Sequence, residues 1–181
     1  AHNHLISFGE YAAMYLYVFG NCANWEVEES CDNNNDCDKD KKEKQDELER
    51  LNAFNNTLPD VRKALANIPT YMMFDDHEIS DDWNITRNWY DGVRNSPCGR
   101  RIVSNGLATY WAFQGWGNAP ESFNREFIRS IDSHLKNPGK PVLGERFDLQ
   151  MWKHRDWGFT VPSSPPVIAL DCRTQRDFDA N

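Results

Sequence analysis

The octapeptide Tyr71-Met72-Met73-Phe74-Asp75-Asp76-His77-Glu78 constrains this chain more than any other stretch. A short apolar run ends abruptly in two carboxylates, an imidazole and a third carboxylate. Such a run predicts a core strand that delivers reactive groups to a sheet edge, although periodicity alone fits a buried helix equally well. Pro69 and Thr70 favour the strand, because a proline just ahead of the run breaks a helix arriving from upstream. Ligand sites in open α/β sheets lie beyond the carboxyl ends of strands. Asp75 to Glu78 stand at that point.

Asp and Glu supply hard oxygen ligands and His supplies an imidazole nitrogen, so this cluster suits a metal. A His beside a bound metal can also act as the acid for a leaving group. A competing reading makes the cluster a helix N-terminus, capped by Asp81 and Asp82, with Asp75, Asp76 and Glu78 favouring its dipole. Capping needs only one carboxylate, however, and accounts for neither His77 nor the apolar run. The metal reading is therefore preferred.

The stretch from Ile68 to Trp83 resembles the central motif of PhoD-like phosphatases (alkaline phosphatase D type), a branch of the calcineurin-like metallophosphoesterases. A second stretch, Pro165 to Arg176, is similar to the family's strand ending in Asp-Thr-Arg-Thr, with Cys172 where Thr is usual. The resemblance runs through most of residues 5–178 and is weakest in 26–47. It implies an α/β fold, α+β within this segment: a four-layer β-sandwich flanked by helices, helix-rich here. Residues 1–181 would be the central part of one such domain. It also implies hydrolysis of phosphomonoesters or phosphodiesters by metal-activated hydroxide. The metals would be two or more divalent or trivalent ions, of iron, calcium, manganese or zinc, which lower the pKa of the attacking water and neutralise the phosphate. Asp76 takes the place of the metal-ligating Asn in the superfamily's Gly-Asn-His-Glu motif. His77 takes the place of the His that stabilises the transition state and protonates the leaving group. Asp75 matches a Gly of that motif and is assigned to the metal site as an added carboxylate. The superfamily's early Asp motifs and late His motif are not found in residues 1–181, so the expectation is a partial site, with weak metal binding and little turnover by this chain alone.

At 181 residues the chain is long enough for one domain with a real core, and seven Trp argue for a packed, globular protein. The net charge of −8 argues against a broad nucleic-acid-binding face. A small phosphate-ester substrate remains compatible, because metals supply positive charge locally. No basic n-region or cleavage pattern is visible, which slightly favours the cytoplasm. The longest apolar run, Tyr11 to Phe19, has nine residues and is too short to span a bilayer. The five cysteines are an odd number without paired C-x-x-C spacings, so free thiols in a reducing compartment are expected. Both ends are expected to lie inside a longer protein, with His2 and His4 incidental.

Along the chain, Leu5 to Phe19 predicts a helix apolar nearly all round and therefore buried, with Gly20 at its end and Glu10 a paired structural carboxylate. Residues 26–47 predict a solvated surface insertion. Asp32, Asn34, Asp36, Asp38, Asp40 and Glu43 fall at EF-hand spacing, but Cys37 replaces the required Gly and Lys39 an apolar residue, so calcium binding is not expected. Leu48, Leu51 and Phe54 begin a helix; Thr57 to Asp60 reads as a break and a new N-cap. A turn region is expected through Gly92, Pro97 and Gly99. Helices follow over Ile102 to Gln114 and from Pro120 to Asn137. Phe147 to Trp152 alternates, Trp157 to Val161 predicts a partner strand, and Val167 to Leu170 a second buried strand ending in Asp171. Arg173 beside it suits bidentate contact with a phosphate substrate; the alternative is an ion pair of Asp171 or Asp177 with Arg173 or Arg176. Lys153, His154 and Arg155 read as a surface basic cluster. The competing function is a non-catalytic helical module that binds a protein partner.

Overall fold

The computed structural model describes residues 4–20 and 38–178. Most of the acidic segment, including the EF-hand-like spacing up to Cys37 and three of the cysteines, lies outside the described residues. The chain divides into two compact units, one comprising Ala13–Thr70 and the other the first dozen residues with Tyr71 onward. It is helix-rich with a small antiparallel sheet: a mixed α+β chain.

Helix α1 spans Phe8–Phe19. It starts on a capping box: the Ser7 hydroxyl accepts from the Glu10 N–H at 3.2 Å, and Glu10 Oε2 accepts from the Ser7 N–H at 2.7 Å. These bonds hold the Glu10 carboxyl below its usual range, and Glu10 is a structural carboxylate. The Gly20 N–H donates to Leu16 O at 2.9 Å, closing the last turn. The helix is not buried all round, however. Tyr11 and Tyr17 are buried, whereas Met14, Leu16 and Phe19 are exposed.

Helix α2 runs unbroken from Asp38 to Asn67 with Pro59 inside it, so the expected break at Thr57–Asp60 is absent. The Thr57 hydroxyl donates to Phe54 O at 2.7 Å instead of capping a new helix. Arg62 Nε donates to Val18 O at 3.0 Å, satisfying a carbonyl at the end of α1.

In the larger unit, α3 (Arg87–Asn95) is capped by Thr86, whose side chain accepts from the Trp89 N–H. Gly92 lies inside this helix rather than in a turn. Ser96 caps α4 (Pro97–Tyr110), with Pro97 in its first turn, where a missing N–H costs nothing. A π-helical turn over Trp111–Gly115 and the short α5 (Trp116–Asn118) continue it. Asn124 caps α6 (Arg125–Lys136), accepting from the Phe127 N–H at 2.9 Å. Helix α7 covers Pro141–Lys153, so Phe147 to Trp152 is helical and not a strand. Strands β1 (Phe159–Val161) and β2 (Val167–Ala169) pair antiparallel, with Thr160 opposite Ile168. The expected partner strand is therefore present. Strand β2 and the residue after it are not buried: Val167 and Ile168 are 57% and 65% exposed, and Leu170 is 70% exposed.

The core of this unit is aromatic. Phe127 and Phe147 are fully buried, with Tyr110, Met151, Trp83 and Trp157 nearly so. Burying side chains of this size contributes roughly 1.5–3 kcal/mol each. His154 joins them, its ring 4.7 Å from those of Phe127 and Trp157. It faces the aromatics rather than forming part of a surface cluster with Lys153 and Arg155.

Candidate functional site

Residues 71–74 are not a strand. A strand needs a neighbour for its ladder, and the carbonyl of Met72 is already engaged by side chains. It accepts from the Tyr110 hydroxyl at 3.0 Å and from Asn118 Nδ2 at 2.8 Å. Phe74 then drives into the core, edge-on to Tyr110 at 4.8 Å and to Trp83 at 5.1 Å. The apolar run thus anchors an extended segment through one aromatic plug and one carbonyl. The helix N-terminus reading fails too. Residues 76–84 form bends and turns, and the next helix begins only at Arg87. Asp81 and Asp82 cap nothing; Asp82 and Asn84 both adopt left-handed backbone, φ 54°.

The acidic cluster is instead a self-braced loop. The Asp75 N–H donates to Glu78 Oε2 at 2.8 Å, and Asp75 Oδ1 accepts from the His77 N–H at 2.7 Å. The Trp83 N–H donates to Asp76 O at 2.8 Å, closing the loop, and Trp83 fixes it in the core. Ile79, also buried, seats the middle; its carbonyl accepts from the Tyr11 hydroxyl at 3.0 Å. His77 faces outward, with Nδ1 3.0 Å from Asp81 Oδ1 and both side chains largely exposed.

The second motif closes onto the first. Arg173 Nη2 lies 3.2 Å from Asp76 Oδ1, with only 17% and 25% of the two side chains exposed. Arg173 does pair with a carboxylate, then, but across to Asp76 rather than with Asp171 or Asp177. Asp171 acts on its own turn. Its Oδ1 accepts from the Arg173 N–H at 3.0 Å and the Thr174 N–H at 2.8 Å, and its Oδ2 accepts from the Thr174 hydroxyl. Asn84 Nδ2 donates to Arg173 O at 2.6 Å, stitching the two loops together. Arg176 Nη1 donates to Ile85 O at 2.9 Å. Arg173 Nε is buried without a hydrogen-bond partner.

Electrostatics follow the geometry. The carboxyl of Asp76 is held below the usual range, first by its own backbone N–H and then by the Arg173 guanidinium. The carboxyl of Glu78 is pushed up, chiefly by burial and further by the Asp75 charge. Burial likewise raises the Tyr110 hydroxyl, with Glu78 and Asp171 adding to it.

The structure brings Asp75, Asp76, His77 and Arg173 to one pair of loops. Asn84, Tyr110, Asn118 and Asp81 were not anticipated as parts of this arrangement. Only Asp81 carried a signal, four residues after His77. Among the described residues, no group of three or more His, Cys, Asp or Glu side chains is arranged to hold a metal ion. Asp76 faces Arg173, Asp75 braces the His77 N–H, and His77 Nδ1 meets Asp81. These residues do not by themselves fit a complete metal centre. Cys98 and Cys172 are free and exposed. No described helix is long and apolar enough to cross a membrane. Comparison of the chain with protein-family models, with curated proteins and with solved structures returns no match.

Proposed function

We propose that residues 75–78 and 171–174 form part of the site of a metal-dependent phosphoester hydrolase of the PhoD-like kind. The observation that carries this is the meeting of Asp76 and Arg173 at 3.2 Å. Each comes from one of the two stretches that resemble the family, almost a hundred residues apart in the chain. In this reading Arg173, whose side chain is 17% exposed, binds a substrate phosphate oxygen through guanidinium N–H donors that Asp76 does not occupy. His77, one ring nitrogen tied to Asp81, offers the other for proton transfer to the leaving group. Bound metal ions would supply the activated hydroxide. Asp76, with Asp75, is the group this chain offers them, and the remaining ligands come from outside the described residues. The exposed apolar side chains of β2 support the same reading, since they are what a strand of a larger sandwich presents without its neighbours.

The competing reading, a non-catalytic helical module that binds a protein partner, rests on the exposed Leu51, Phe54 and Val61 of α2. Hydrolysis of a monoester and a diester, with several divalent metals added, separates the two. The assay uses the longest form of the protein obtainable, wild type beside His77→Ala. Loss of turnover in the variant with circular dichroism unchanged is the expected result. No turnover by the wild type with any metal would favour the interaction module. Equal turnover in both would remove His77 from the chemistry. The 181-residue chain alone is expected to show little turnover, and robust hydrolysis by it would contradict the partial site.

A further inference from the structure

Helices α6 and α7 pack together, and a groove of about 530 Å³ opens along their seam. Arg125 and Arg129 stand one turn apart on α6, with Ser133 one turn further, and Arg146 and Gln150 line the opposite wall from α7. All three arginines are exposed. Among the described residues, none of them takes part in an ion pair or hydrogen bond. The guanidiniums elsewhere in this unit are mostly engaged: Arg101 grips Asp148 at 2.7 and 3.0 Å, Arg87 reaches Asp91, and Arg173 reaches Asp76. The contrast sharpens against the chain's net charge of −8. Here three permanent positive charges share one concavity, and Glu126 is the one acidic residue lining it.

We infer that this groove binds a compact polyphosphate-type anion, at a site separate from the Asp76–Arg173 loops. Three planar forks match phosphate oxygens two at a time, and Ser133 and Gln150 add neutral donors between them. The walls choose between anions. An acidic peptide needs apolar pockets for its side chains as well as charge, and only Leu143 supplies apolar lining. A phosphate chain needs donors alone. The volume is that of a small-molecule pocket, large enough for several linked phosphates.

The test is calorimetric titration of the folded protein with inorganic tripolyphosphate, and separately with an oligoglutamate of similar charge. Wild type is compared with Arg129→Gln, Arg146→Gln, the double variant, and Arg129→Lys. Affinity should fall about tenfold or more for each guanidinium removed, with Arg129→Lys between Gln and wild type. Arg87→Gln should bind as wild type does, because that guanidinium is held by Asp91 on α3 and lies outside the groove. Absence of tripolyphosphate binding would overturn the inference. So would unchanged binding in the double variant, or binding lost in Arg87→Gln. Oligoglutamate binding as tight as tripolyphosphate would overturn the phosphate assignment in favour of an acidic protein segment. All the arginine substitutions are at exposed positions, and circular dichroism of each variant separates lost binding from lost folding.

Discussion

Asn84 is the residue on which the two loops depend. It sits in left-handed backbone, is 4% exposed, and donates to the carbonyl of Arg173. Asn tolerates that backbone better than Ala, and Gly better still. Asn84→Ala should lose both the hydrogen bond and the conformational fit, about 2–3 kcal/mol, against about 1–2 kcal/mol for Asn84→Gly. Urea unfolding that found Ala the milder change would contradict the assignment. Glu78 sets a pH dependence. Burial raises its folded pKa above the ordinary 4.5, so the folded state holds that proton more tightly than the unfolded chain. Its contribution is therefore full at low pH and declines as pH rises through the folded value. Glu78→Gln can still accept from Asp75 but carries no charge. The variant should gain on wild type as pH rises from the ordinary value toward neutrality, and parallel pH profiles would show that Glu78 has no such role. Asp76 works in the opposite sense, its contribution being lost as pH falls below the ordinary 3.8.

At the scale of elements, α4 positions the first loop. A Cβ on Gly106 would lie 2.8 Å from Ile79 Cγ1, and Ile79 is itself buried. The helix needs glycine there because the loop presses against its backbone. Gly106→Ala improves helix propensity by about 1 kcal/mol, yet it must displace Ile79. We expect a net loss of about 1–3 kcal/mol by thermal or urea unfolding; a stabilised variant would mean that Ile79 does not pack as described. The elements also show which signals a sequence carries. Helix α4 was legible from Ile102, Val103, Leu107 and Tyr110, because its stripe recurs at helical spacing over several turns. The Asn137 boundary was legible from punctuation, whereas Pro120 opens only a 3-10 turn to Ser122 and the helix expected there starts at Arg125 behind its Asn124 cap. Residues 71–74 misled because four apolar residues record burial and not hydrogen-bond partners; Tyr110 and Asn118, distant in the chain, decided the backbone's fate. Phe147 to Trp152 misled for a related reason: a short alternation was outweighed by the longer helical register from Pro141. Pro59 was read as a helix start where the helix passes straight through.

The larger unit is held by its aromatic cluster, and two histidines are lodged in it. Phe127→Ala should cost about 3–5 kcal/mol, since that side chain is fully buried. His134 stacks on Phe147 at 4.5 Å, and His154 lies against Phe123, Phe127 and Trp157. Burial lowers both pKa values, aided at His134 by the Arg101 guanidinium. The unfolded chain therefore takes up these protons first, and stability should decline as pH falls below the ordinary 6.5. Denaturation midpoints measured across that range check it. What the sequence conveyed about the candidate site was its residue types and their two locations. That Arg173 would cross to Asp76 was not legible, because it depends on how the chain returns after α7 and the hairpin. Asp76 and Arg173 join the two stretches. A double-mutant cycle of Asp76→Asn and Arg173→Gln, read by urea unfolding, measures that contact. The effects of the two substitutions should fail to add, the second having less effect once the first is in place. Strict additivity would mean that Asp76 and Arg173 do not meet, and the site as described would not exist.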